Sequence, residues 1–252
     1  VFFTLKIESI TASLNLLKMS YALRFSSDDD LVEVGVDEAG RGCLFGRLYV
    51  GAVVLPDELD SMFDNGAALM EIKDSKKLTE RKRDILFDYV KECAVDHAIA
   101  WCSNEQIDKE NILQADLNTM HKALESLSVP VQRVLVDGDS WKPWAANPEA
   151  DVHKIIQGDS KYLAIAAASI LAKVARDRWV NEICDANPEW DEKYGLRSNK
   201  GYGASKHMAA LKTHGPTPLH RMSFAPCSGQ EKKQKQKVNY VVEAPKNWIG
   251  IE

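Results

Sequence analysis

The sequence predicts a mixed α/β domain: a five-stranded sheet flanked by helices, with a helical and loop-rich extension at its C-terminal side. Three observations predict it. Short apolar, β-branched runs alternate with longer segments of helical spacing. The first two runs follow one another directly, as an antiparallel pair would, and the later ones are separated by helix-length crossovers. Acidic residues recur where the strands end, the edge at which ligands gather in open α/β sheets.

The elements justify this in order. After a polar lead-in, "SSDDD", the stretch "LVEVGV" alternates and stops at Asp37, so it reads as a first strand. "RLYVGAVVLP" is a second strand, closed by Pro56, and residues 57 to 73 read as loop. Leu78 to Val95 has helical spacing, with Thr79 as the cap and Ile85, Leu86, Tyr89 and Val90 as the apolar face. "AVDHAIAWCS" is a third strand. Ser103 and Gln106 form a capping box opening one long helix to about Leu127. "RVLVDG" and "VHKIIQG" are the fourth and fifth strands. "DSKYLAIAAASILAKVARDRWVNEI" is an alanine-rich helix, apolar almost all round near its start and therefore buried. A short helix from Ser205 to His214 sits in a loop-rich region. From Gln230 the composition turns to "EKKQKQK", and residues 227–252 read as a polar, disordered tail.

The 252 residues suit one domain with appendages, and 45% hydrophobic with 27% charged residues is ordinary for a chain with a real core. No apolar run reaches the roughly 18 residues of a spanning helix, so no membrane association is expected. A net charge of −5 argues against indiscriminate coating of nucleic acid but leaves room for a local basic groove. Five cysteines, an odd count without C-x-x-C, indicate reduced thiols in an intracellular protein. A zinc site of Cys227 with His207, His214 and His220 lacks finger-like spacing. Residues 1–27 read as a leader outside the domain, with the natural start near Met19, and the domain itself as 28–226.

The chemistry lies in the acids. Asp37 and Glu38 are adjacent in "VGVDEAGRG", Asp137 ends "LVD", and Asp159 follows "QG". A single strand-end Asp is ordinarily a turn former or cap, and Asp159 before Ser160 would suit an N-cap. Four acids at edge positions need another reason, because grouping like charges is costly without a cation among them. Oxygen ligands without neighbouring Cys or His favour Mg²⁺ or Mn²⁺, and two such ions serve phosphodiester hydrolysis. Asp139 reads as a turn residue. Asp177 lies 18 residues beyond Asp159, roughly 27 Å along one helix, and cannot share its site. In "GRG", glycines on both sides of Arg41 let the backbone approach a ligand, and Arg41 can hold a phosphate. A Walker-type ATPase would need G-x-x-x-x-G-K-[ST], which the chain lacks.

Taken together, "GVDEAGRG", "DSKKLTERKR", "LVDGD", "GDSKYLAIAAASILAKVARD" and "KGYGASKHMAALKTHGPTPLHRMSF", in that order, resemble the ribonuclease HII family over roughly Val32 to Phe224. The resemblance implies an RNase H-like fold and cleavage of RNA in RNA/DNA hybrids. It also implies cutting 5′ of a single ribonucleotide in duplex DNA, leaving a 3′-hydroxyl and a 5′-phosphate. It assigns Asp37, Glu38, Asp137 and Asp159 to a two-metal Mg²⁺ or Mn²⁺ site. Gly40, Arg41 and Gly42 would contact the ribose 2′-hydroxyl, and Tyr202 the sugar after the scissile phosphate. Lys76 and Lys77, with Lys73 and Arg81, are candidate phosphate contacts; Lys161, Lys173 and Lys206 are weaker ones. The expected partners are hybrid and ribonucleotide-containing duplexes, bound by a monomer in the cytoplasm, or the nucleus if the source is eukaryotic. No sliding-clamp motif of the Q-x-x-[LIM]-x-x-[FY][FY] kind is visible. Arg47 stands where the family often has Pro, a departure expected to matter little. "DEAGRG" also differs from the "DEVGTG"-like residues of ribonuclease HIII. The rival readings are a hybrid-binding module with weak or no catalysis on the same fold, and a related nuclease acting on all-DNA duplexes.

Overall fold

The computed structural model describes residues 21–57, 78–229 and 248–251. Its centre is a mixed sheet of six strands rather than five, in the order β5-β4-β1-β2-β3-β6. β1 (Glu33–Ala39) pairs antiparallel with β2 (Leu48–Val54), which pairs antiparallel with β3 (Asp96–Cys102). β4 (Arg133–Asp137) runs parallel to β1, and β5 (Asp151–Ile155) parallel to β4. The added strand, β6 (Trp248–Ile251), comes from the region read as tail and lies parallel to β3. Its Trp248 packs edge-on against Tyr49 and Phe87, which gives this polar end of the chain an apolar anchor.

The helices correct the sequence reading in four places. Helix α1 (Glu80–Cys93) is capped by Thr79, whose hydroxyl accepts from the Lys82 amide. Its buried face is Leu86, Phe87, Val90 and Cys93, and Ile85 is 49% exposed; the stripe is rotated by about one residue from the expected one. The expected long helix is two, α2 (Asn104–Glu110) and α3 (Ile112–Glu125). Asn111 breaks it with φ 73°, and its side chain accepts from the Leu113 and Gln114 amides, so it caps the second helix instead of continuing the first. Only half of the capping box forms. Ser103 accepts from the Gln106 amide, but the Gln106 side chain turns to Glu110. The alanine-rich helix α4 (Leu163–Ala186) begins four residues later than expected, so Asp159 is not its cap but part of the 3-10 turn Gly158–Ser160. Two short helices not expected, α5 (Pro188–Tyr194) and α6 (Leu196–Asn199), precede α7 (Ser205–His214), which matches its expected span.

α4 lies across β1 and β2, buried continuously from Leu163 to Ala172. The alanines are there because the backbones nearly touch. A Cβ on Gly35 would stand 2.2 Å from the Ala164 carbonyl carbon, and one on Gly51 2.3 Å from the Ala168 oxygen. The other sheet face carries α3, whose Leu117, Met120 and Leu124 join Val34, Val36, Val134 and Val136 in a second core cluster. β1 therefore has two dry faces: odd-numbered residues look toward α4 and even-numbered ones toward α3. Truncating fully buried Leu171 to alanine would cost about 2–5 kcal/mol.

Candidate active site

The strand register assembles the acids. β1 runs on to Ala39, two residues beyond its expected end at Asp37, because pairing with Gly51, Val50 and Tyr49 of β2 continues. Val36 faces Val136 on the parallel neighbour, so Asp37 and Asp137 come side by side where the two strands lead out. β5 then delivers the 3-10 turn with Asp159. The Gly158 amide donates to Asp137 Oδ1 at 2.7 Å and ties that turn to β4. Asp37, Asp137 and Asp159 thus offer carboxylate oxygens all within 4.8 Å of one another, the one such grouping of acids, His or Cys among the described residues. Burial pushes the Asp37 carboxyl well above the usual carboxylate range, and Glu38, Asp137 and Asp159 push it further.

Glu38 is the exception to the expected convergence of four. The pleat sends it to the α3 face of β1, opposite Asp37. There it meets a residue the sequence reading missed, Asp116 of α3, which is 1% exposed and whose carboxyl is pushed well up by burial first and by Glu38 next. One sequence signal could have found it. In "NILQADLNTMHKAL" this aspartate shares the helix stripe of Thr119, Met120 and Ala123, where every other residue is core.

The turn from Gly40 to Gly42 follows β1. Gly40 has φ +94°, and a Cβ there would lie 2.1 Å from Arg176 Nε, so only glycine suits it. Arg41 lies 3.5 Å from Asp116 through Nη1, and its carbonyl accepts from Arg221 Nη1 at 3.0 Å. Two fully buried arginines, neither anticipated, hold the surrounding loops. Arg176 donates to the Phe45, Arg47 and Lys200 carbonyls, and Arg221 to those of Gly46 and Arg41. Gly201 is joined to Leu44 at 2.9 Å, which docks the segment carrying Tyr202 against the loop carrying Arg41. Tyr202 is 44% exposed. Its carbonyl is held by a buried chain: the Thr217 amide donates to His220 Nδ1, the two histidines share a hydrogen through Nε2 at 2.9 Å, and His207 Nδ1 donates to Tyr202.

The remaining candidates divide. Lys73, Lys76 and Lys77 lie outside the described residues, and Arg81 is exposed on α1. Lys173 pairs with Asp177 four residues on, at 2.7 Å, the on-helix pairing expected for Asp177. Asp139 accepts from Ser140 and is no part of the triad. Arg47 is buried with its guanidinium 3.5 Å above the Trp101 ring, a role the sequence did not suggest. All five cysteines are buried and free, and no helix among the described residues is long and apolar enough to cross a membrane.

Comparison with known proteins gives the family. The family model described as Ribonuclease HII matches residues 34–227. The chain belongs to the ribonuclease HII family. Ribonuclease HII of Bacteroides thetaiotaomicron is 44% identical over 77% of this chain and 90% of its own length. That of Paracidovorax citrulli is 46% identical over 76% of this chain and 73% of its own. Among solved structures, the ribonuclease H2 of Pyrococcus horikoshii covers 78% of this chain and 95% of its own, with a TM-score of 0.61 at 28% identity. The fold is RNase H-like, and the chain is a ribonuclease H, an endoribonuclease whose family acts on RNA/DNA.

Proposed function

We propose that this ribonuclease HII family member cuts the RNA strand of RNA/DNA hybrids and also cuts 5′ of single ribonucleotides embedded in duplex DNA. The products would be a 3′-hydroxyl and a 5′-phosphate, serving ribonucleotide and RNA-primer removal. The observation that carries the reading is the triad of buried Asp37 and Asp159 with half-buried Asp137, with its oxygens within 4.8 Å. Its donor set fits a hard divalent cation, since it offers carboxylate oxygen and neither nitrogen nor sulfur. Bound there, a pair of ions of the Mg²⁺ or Mn²⁺ kind supplies Lewis-acid activation of water and charge neutralisation at the leaving oxygen.

The chain's own residues do the rest. Asp37, Asp137 and Asp159 hold the cations, and Glu38 completes the acidic set from the other face of β1. Gly40 and Gly42 bring backbone N–H and C=O groups up to the ribose, and Arg41 holds the adjoining phosphate. The 2′-hydroxyl, both donor and acceptor, is what such a turn can distinguish from deoxyribose. Tyr202 packs on the following sugar, with Lys76 and Lys77 as further phosphate contacts, and one chain suffices. End analysis of the products tests the reading. A fragment extendable by a polymerase, ending just before the ribonucleotide, is expected. A cut on its 3′ side would overturn it, and a cyclic phosphate end there would show that the 2′-hydroxyl, and not water, is the nucleophile.

A further inference from the structure

We propose that Asp116 of α3 is a positioning residue that aims the Arg41 guanidinium at the substrate and so tunes recognition of the ribonucleotide. The proposal rests on the reading of Arg41 as a substrate contact. Asp116 is 1% exposed, on the helix stripe that packs against the sheet. Its Oδ2 faces Arg41 Nη1 at 3.5 Å, and its Oδ1 is buried with no hydrogen-bond partner. An acid so placed does not serve stability: a desolvated, half-partnered carboxylate costs more than an apolar side chain of similar size would. Its use must lie in what it faces. Arg41 has a 41% exposed side chain, so the guanidinium is available to a ligand while Asp116 anchors it from below.

The backbone of the same residue is held independently. Arg221 donates from Nη1 to the Arg41 carbonyl at 3.0 Å and from Nε to the Gly46 carbonyl at 2.9 Å. The main chain of Arg41 is thus fixed by a buried cation and its side chain faced by a buried carboxyl group. At 3.5 Å the Asp116 contact is longer than a well-formed charged hydrogen bond, which leaves the guanidinium room to shift onto a phosphate without losing the attraction. Asp116 is not one of the three acids whose oxygens group together, and of the two charged neighbours it faces, Glu38 and Arg41, only Arg41 has the opposite charge, so its steering acts through Arg41.

The test is a double-mutant cycle of Asp116→Ala and Arg41→Ala on a duplex with one ribonucleotide, reading kcat and KM separately in saturating Mg²⁺. Asp116→Ala alone is expected to lower kcat/KM about tenfold, mainly through KM, with an unchanged or raised melting temperature. In the Arg41→Ala background it should change nothing further, because its target is gone. Asp116→Asn, which keeps the shape and an acceptor, should fall between wild type and alanine, and it covers the case in which the alanine variant fails to fold. Wild-type rates in both Asp116 variants would overturn the proposal, as would a loss that persists in full without Arg41. If Arg41→Ala is harmful and Asp116→Ala is not, this proposal alone fails. If Arg41→Ala is harmless, the reading of Arg41 as a substrate contact fails and takes the proposal with it.

Discussion

Replacing Asp37 by asparagine is expected to stabilise the metal-free protein while abolishing turnover. Asp37 is 4% exposed, and its oxygens lie within 4.8 Å of those of Asp137 and Asp159. Two like charges at that distance repel by about 3–4 kcal/mol at an effective dielectric of roughly 20. Burial and the neighbouring acids already raise the Asp37 carboxyl well above its ordinary range, so part of the repulsion is relieved by a bound proton. The sign follows. A carboxyl raised on folding costs stability, and the cost grows as pH rises from the unfolded value through the folded one. Asparagine removes that cost and keeps an oxygen for the Glu38 amide, which now donates to Asp37 Oδ1 at 2.7 Å. A gain of about 2 kcal/mol, or about 4–8 °C in melting temperature for a domain of this size, is expected in chelator. Added Mg²⁺ should raise the wild-type melting temperature, by about 2.7 kcal/mol of stability at a hundredfold excess over Kd, and should move the variant far less. Thermal melts with chelator and with Mg²⁺, beside a cleavage assay, check all three outcomes. A variant that melts below wild type in chelator, responds fully to Mg²⁺, or still turns over would refute the reasoning.

Further predictions follow the same logic. Gly40→Ala forces a Cβ onto Arg176 at a φ of +94°, and should cost about 2–4 kcal/mol in denaturant melts together with activity. Gly42→Ala meets nothing within 4 Å, so stability should stay within about 0.5 kcal/mol, and a fall in cleavage would come from substrate approach. An unchanged rate would remove Gly42 from the interface. His220 is held down to about 3 by burial and then by His207, itself lowered by burial. Below the ordinary histidine range the unfolded chain takes up protons that the fold refuses. Stability should therefore fall as pH drops from about 6.5 toward 3, by at most about 1.4 kcal/mol per pH unit for each histidine. Equal urea midpoints for wild type at pH 7 and pH 5, with the two rings intact, would contradict that. Tyr202→Ala, at a half-exposed side chain, should leave the melting temperature within about 2 °C and lower cleavage of the single-ribonucleotide duplex.

Most of the architecture could be read from local pattern, and the misses share one cause. Strands β1 to β5 and helices α1, α4 and α7 announce themselves by periodicity, but their ends are set by partners. β1 outruns its apolar run because β2 goes on pairing with Asp37, Glu38 and Ala39. Asn111 reads as an ordinary helical residue until its φ of 73° shows it capping α3. β6 was illegible because four residues, Trp248 to Ile251, follow a strongly polar stretch and gain their strand character only from the open edge of β3. In the site, Asp37, Asp137 and Asp159 were legible because strand ends converge by topology. The placing of Glu38 on the opposite face, with Asp116, was not, since it depends on which helix covers which side of the sheet. Arg176 and Arg221 were hidden for a related reason. Their guanidinium groups are spent on carbonyls distant in sequence, a pattern that no local spacing records.

The central claim is that the acidic triad, the glycine-arginine turn and Tyr202 form one site that acts on a ribonucleotide within duplex DNA. The most direct measurement is cleavage of an end-labelled duplex carrying one ribonucleotide, beside an all-DNA control, with Mg²⁺, with Mn²⁺ and with chelator. Cutting just 5′ of the ribonucleotide that needs the cation and spares the control is the predicted result. Cutting of the all-DNA duplex, cutting that survives chelation, or a folded protein that leaves this duplex intact would contradict it.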